Sequence, residues 1–342
     1  MARAKVETGA AENMTMRAVL RTIWFLGLVV FCFSSAPVNA QTQRYPSRAI
    51  TVVVPFPPAG ASDVVARIVT EHMSRTLGQQ LVIENVAGAG GTLGSARVAA
   101  AAPDGYTLLA GSMGSHVAAP VLTPNLKYDP ARDFAAIGLT ANSAAVIAAR
   151  KDFPAKDLKE FVSYLKENGD RVKQAHGGIG ASSHMACLLF TSELGVKPIQ
   201  VAYRGTGPAI NDLVGGHVDF LCEQSVSVAE QIRAGLVKGY VVSAPERLAS
   251  LPDIPSAREA GIRYEMSIWA GIFAPKGTPG RAITVLASAL DRALDDPAVK
   301  KRLADLGASI PAKQERTPQS FSRLVQAEIV RWSPILKAAS TH

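Results

Sequence analysis

Cysteine is scarce in this chain, three residues in 342 with no paired spacing, which excludes a disulfide-scaffold protein and a zinc finger. Aromatic residues make up 6% and charged residues 19% against 48% hydrophobic, so an ordered globular protein is expected and a disordered one is not. The 28 glycines and 21 prolines are spread along the sequence, leaving neither a collagen repeat nor a long proline-rich linker. Past residue 40 every apolar stretch is broken by glycine, proline or charge, so none reaches the roughly 20 residues of a membrane span. The histidines at 72, 116, 176, 184, 217 and 342 form no H-x-x-x-H or H-E-x-x-H pattern, so no metal or other cofactor is expected.

What is present begins with a leader. Arg17 and Arg21 precede the apolar run Ile23 to Phe33, and Val38 and Ala40 are small residues at positions minus 3 and minus 1 of a Gln41 start. This is the grammar of a cleaved secretory signal over residues 1–40 and places the mature protein in the periplasm. Cys32 as a lipoprotein anchor is the weaker reading, because Phe31 stands where a small residue is needed. Cleavage removes four basic and two acidic side chains from a chain of net charge +8, leaving +6. The remaining basic residues are scattered rather than striped with aromatics, so no nucleic-acid partner is expected. A mild positive charge is compatible with steering anionic small molecules.

The length gives a prior of about two domains. Ile50 to Pro55 reads as a strand, Ser62-Asp63 as the cap of a helix through Leu77, Leu81 to Asn85 as a second strand and Tyr106 to Ala110 as a third. Strands alternating with helices imply mainly parallel α/β sheets. Asp133 to Thr140 and Ala144 to Ala149 read as two strands joined by Ala141-Asn142-Ser143, a crossing point between lobes. The same alternation resumes from Lys156 to Ser243, and the C-terminus after Gly280 is helical. Two α/β lobes are expected, residues 41–141 with 265–342 and residues 142–264, with the C-terminal helices returning to the first. Two cysteines, Cys187 and Cys222, remain in the mature chain; in an oxidising compartment they are either bridged or two buried thiols.

Two strand-to-helix turns share one design. Pro55 to Ala61 leads into Ser62-Asp63, and Gly177 to Ala181 leads into Ser182-Ser183. Each would offer unpaired N–H groups and the positive end of a helix to an anion, although Ser and Asp at a helix start also serve as ordinary caps. A third small-residue loop, Gly111 to His116, follows a strand in the same way, at the end of an α/β sheet where ligands bind. The cluster Gly88-Ala89-Gly90-Gly91-Thr92-Leu93-Gly94 misses the dinucleotide spacing by one residue and is read as a turn. No G-x-S-x-G elbow exists, so a serine hydrolase built on Ser182 or Ser115 with His184 or His116 stands as the rival class. A ligand sensor for a membrane signalling partner is a third reading.

Seven ordered blocks then carry a resemblance. YPSRAITVVVPFPPAGASDVVAR, IENVAGAGGTLGSARVAAAAPDGYTLLAGSMGSH, KYDPARDFAAIGL, GGIGASSHMACLLF, VAYRGTGPAINDLVGGHVDF, LPDIPSAREAG and GIFAPKGTP are together similar to the extracytoplasmic solute receptors of tripartite tricarboxylate transporters, the Bug receptors. The resemblance implies a two-lobed type II periplasmic binding fold with no catalytic step. It further implies a monomer that captures a small carboxylate between its lobes and delivers it to membrane permease subunits. Carried over residue by residue, the ligand contacts fall on Phe56, Ala61 and Ser62, on Ser115 and His116, and on Gly180, Ser182 and Ser183. Arg204 stands where the family usually has lysine and would offer a carboxylate fork. Glu223-Gln224 replaces the commoner Asp-Asn pair, and Glu223 becomes a candidate partner for the distal end of the ligand.

Overall fold

The computed structural model describes residues 45–340; the expected signal segment, residues 1–40, lies outside them. The β-branched run Ile50–Val54 forms β1, and its inward faces are completely covered. Helix α1 (Ala61–Leu77) follows, and Gly78 ends it in the left-handed conformation that glycine adopts without strain. Strand β2 (Leu81–Asn85), helix α2 (Thr92–Ala99) and strand β3 (Thr107–Ser112) complete a set of parallel neighbours, with β1 between β2 and β3. A π-helical turn, Gly114–Ala118, and one turn of α-helix, Ala119–Leu122, lead away from β3.

The sequence predicts two strands joined by Ala141-Asn142-Ser143. The structure has one, β4 (Phe134–Arg150), 17 residues long. Asn142 and Ser143 pair with the short strand β10 (Ala308–Ser309), so the polar triplet continues the ladder instead of interrupting it. The first part of β4 lies antiparallel to β9 (Ser267–Pro275), which in turn pairs antiparallel with β3. Its last part, Ala145 to Arg150, pairs with β7 (Phe220–Gln224) and β8 (Val237–Val242) in a second sheet. That sheet continues through parallel pairs to β5 (Lys173–His176) and β6 (Ile199–Ala202). The path across the molecule is therefore β2-β1-β3-β9-β4-β7-β5-β6.

Helices cover both sheets. The helix α3 (Leu158–Asn168) starts with Asp157 accepting from the Glu160 amide, an ordinary N-cap, and buries Phe161 and Leu165. Helices α4 (Ser182–Leu194), α5 (Thr206–Val214) and α6 (Ser225–Arg233) each follow a strand of the second sheet. The C-terminal helices α7 (Gly280–Asp295) and α8 (Pro297–Asp305) pack with α1 over the first sheet, through Leu286, Leu290, Leu294, Val65 and Val69. The last helix, α9 (Pro318–Ser340), seats Phe321, Val325 and Trp332 in a core cluster that runs from Val53 to Phe190 and so joins the two sheets. Burying such side chains stabilises the fold by about 1.5–3 kcal/mol each. Cys187 on α4 and Cys222 on β7 form a disulfide. Among the described residues no helix is long and apolar enough to cross a membrane.

Candidate functional site

The turns that precede α1 and α4 face one another. Helix α1 is entered through Gly60 and α4 through Ala181, both in extended backbone and neither with a side-chain cap. Ser62 and Ser182 therefore sit inside the first turns and do not cap them, contrary to the expectation from sequence. The first amides of both helices lack carbonyl partners within their helices and carry the positive end of the dipole. Between them lies a small cavity of about 20 Å³, about what one water molecule needs. Phe56, Gly60, Ala61 and Ser62 line one wall, and Gly177, Ala181, Ser182 and Ser183 line the other.

Two more helices reach the same point. Thr206, the first residue of α5, and Gln224, which immediately precedes α6, complete the lining together with Glu223. Four helix N-termini thus converge on one cavity, two more than the paired turns of the sequence predict. Thr206 follows Gly205, which has φ of 130°, and the Y-R-G-T-G-P segment carries the same glycine-before-hydroxyl signal as the Gly60 turn. Gln224 gave no such signal, because its place depends on β7 ending at the cavity.

Hydrogen bonds fix the walls. Asp63 accepts from the Ala59 amide at 3.0 Å, from Arg67 at 2.9 Å and from Asn85 at 2.8 Å, which ties the Pro57–Gly60 turn to β2. Burial alone would raise its pKa, and the bonds from Arg67, Asn85 and Ala59 outweigh that and hold the carboxyl below its usual range. In the opposite wall the Gly177 amide donates to the Ser183 hydroxyl at 3.0 Å, and the Gly180 amide donates to His184 Nδ1 at 3.3 Å. His176 and His184 stack at 4.3 Å. Burial and then the neighbouring His176 push His184 down to about 4, so the imidazole is neutral at pH 7.

Glu223 is the buried acid of the cavity, only 2% exposed. It accepts from the Thr206 hydroxyl at 2.8 Å and from the Gln224 amide at 2.8 Å, and Ser183 lines the cavity beside it. Burial, opposed in part by these bonds, pushes its pKa up to about 7. The Cys187–Cys222 bridge ties the residue before Glu223 to α4 one turn beyond Ser183.

The expected contacts do not all gather here. Phe56, Ala61, Ser62, Ser182, Ser183 and Glu223 line the cavity, whereas Gly180, Ser115, His116 and Arg204 do not. The π-helical turn swings Ser115 and His116 into the core, where both are completely buried. Ser115 accepts from the Ser112 amide at 3.0 Å and lies 3.0 Å from His116 Nδ1. The His116 ring stacks on Phe273 at 4.1 Å, and burial pushes its pKa down to about 3. Gly180, with φ of 83°, is turned toward Ala119 and spends its amide on His184. Arg204 is exposed and borders a second cavity of about 370 Å³ beside Phe56, Gly90 and Ile179. Among the described residues no group of three or more histidine, cysteine, aspartate or glutamate side chains is placed to hold a metal ion.

Two sheets linked by a shared strand, with helix N-termini from both meeting over a small buried cavity, define a two-lobed solute-binding protein. The chain belongs to the tripartite tricarboxylate transporter receptor family, whose model matches residues 65–340. A protein encoded in the TAR-I ttuE-ttuC' intergenic region of Agrobacterium vitis is 41% identical over 305 residues, 89% of this chain and 88% of that one. MatC from Rhodopseudomonas palustris, solved with bound malate, is 47% identical with a TM-score of 0.83, covering 85% of this chain and 100% of MatC. The periplasmic binding protein BugD is 40% identical, also with a TM-score of 0.83, over 86% of this chain and 99% of BugD.

Proposed function

We propose that the protein is a periplasmic receptor that captures a small carboxylate between two lobes and delivers it to the membrane permease subunits of a tripartite transporter. The observation that carries this reading is the convergence of four helix N-termini on one buried cavity. Such termini offer amide donors and positive potential but no acceptors, which suits an anion. The bound malate of MatC supports the same class of guest, and the periplasmic setting of BugD supports export through the 1–40 signal.

The lobes in this reading are residues 41–141 with 265–342 and residues 142–264, and the receptor acts as a monomer. A cavity of about 20 Å³ is too small for a dicarboxylate, so entry requires the walls to part and capture requires them to approach again, a hinge equilibrium biased by the ligand. Binding is the whole task and no covalent step follows. The Ser115–His116 pair is sealed in the core, and His184 Nδ1 is occupied by the Gly180 amide, so neither serine has an accessible, oriented base.

Calorimetric titration with malate, paired with mass spectrometry of the small molecule that co-purifies, tests the reading. The wild type should bind and melt at higher temperature, by about 2.7 kcal/mol of stabilisation at a hundredfold excess over Kd. Ser62→Phe and Ser182→Phe should each lose at least ~100-fold in affinity, since a ring fills the space between the walls. Undiminished binding by both variants would sink the clamp.

A further inference from the structure

We propose that Glu223 is the specificity-determining residue of the cleft and works in its acid form, donating a hydrogen bond to the captured carboxylate, so that each guest brings one proton from solvent onto the protein. This rests on the carboxylate-capture reading above. The geometry supports it in three ways.

First, Glu223 lines the cavity that Ser62 and Ser182 also line, so any anion held there lies beside it. Two carboxylates in contact within a buried space cannot both stay ionised, and one takes a proton. Second, an ionised carboxylate has about four acceptor positions, and the Thr206 hydroxyl and the Gln224 amide occupy two, one on each oxygen. Each oxygen keeps a free position, and either can carry a proton aimed at the guest. Third, among the described residues no cation pairs with the acid. Of the basic groups on neighbouring elements, Arg150 pairs with Asp152 and Asp219, Lys173 bonds the His217 carbonyl, and Arg233 pairs with Glu230 and bonds the Asp305 carbonyl.

The other titratable groups around it do not take this role. On α4, Glu193 pairs with Arg263, and His184 is held neutral against His176 of β5. On α5, Asp212 accepts from Tyr203. Asp63 of α1 is committed to Arg67 and Asn85. Tyr264 is fully buried and its pKa is raised, by burial and then by the Glu223 charge, so it stays protonated. Glu223 already titrates at about 7, and an anion beside it raises that value further.

The test is calorimetry of malate binding to the full-length mature protein in buffers of different ionisation heat, from about pH 6 to pH 9. Malate is ionised throughout the upper part of that range, so proton exchange there belongs to the protein. Uptake should approach one proton per malate near pH 8 and fall to a small fraction near pH 6, with affinity weakening up to about tenfold per pH unit above 7. Glu223→Gln, whose amide donates at every pH, should abolish the uptake and flatten the profile. Binding by the wild type with no proton uptake near pH 8, or uptake retained in E223Q, overturns the inference and leaves carboxylate capture standing. The wild-type measurement decides even if E223Q does not fold. Tighter binding of aspartate than malate with proton release would overturn it in favour of an ionised Glu223 holding an ammonium. Failure of the folded wild type to bind any carboxylate would overturn the capture reading and this inference together.

Discussion

At the scale of single residues, two buried titratable groups push stability in opposite directions with pH. His116 releases its proton near pH 3 in the folded state against an ordinary 6.5. Unfolded chains therefore take up a proton first, and stability is full above 6.5 and declines as pH falls through that window, by up to about 1.4 kcal/mol per unit. His116→Phe, which keeps the stack on Phe273, should shallow that decline in melts run between about pH 6.5 and pH 4. Glu223 has the reverse sign: its folded pKa is raised from 4.5 to about 7. The stability it confers is full below 4.5 and is lost as pH rises through 7, so E223Q should melt higher than wild type near pH 8 and not near pH 4.5. The first-turn serines were legible in the sequence through their place after strands, and Glu223 only through its departure from the Asp-Asn pair of the family that the chain resembles. It could not show that Ser115 and His116 turn inward, because one extra residue per turn in the Gly114–Ala118 segment rotates the side chains that follow and leaves no compositional mark.

At the scale of elements, most of the pattern was readable. Ile50–Val54 and Leu81–Asn85 are strands in both sequence and structure, and α7 to α9 follow their apolar periodicity and prolines. The exception is β4, where Ala141-Asn142-Ser143 looked like a connector. Ser143 donates to Gln224 at 2.7 Å and Asn142 pairs with Ser309 in β10, partners distant in sequence that local reading cannot supply. The disulfide acts at this scale too. It closes a loop of 35 residues between α4 and β7, and removing it should cost about 4 kcal/mol. Melting of Cys187→Ser/Cys222→Ser should fall by several degrees, and malate affinity should weaken because Glu223 is no longer tied to the start of α4.

At the scale of the whole molecule, glycines mark where the two walls touch. A Cβ on Gly90 would lie 1.8 Å from the Ile179 carbonyl oxygen, and one on Gly205 would lie 2.3 Å from Pro57 Cγ. Both contacts join a turn beside the first sheet to a turn beside the second, so side chains there oppose approach of the walls more than folding of either. Gly90→Ala should weaken malate binding at least ~10-fold, whereas strain from its left-handed backbone costs only about 1–2 kcal/mol of stability. Calorimetry and thermal melting of the same variant separate the two effects.

Strand β4 belongs to both sheets along its 17 residues, and its two ladders are consecutive stretches of one backbone. Neither half of the molecule can melt without stripping partners from the other, so heat should unfold both in a single cooperative step, and a scanning calorimeter should record one peak instead of two.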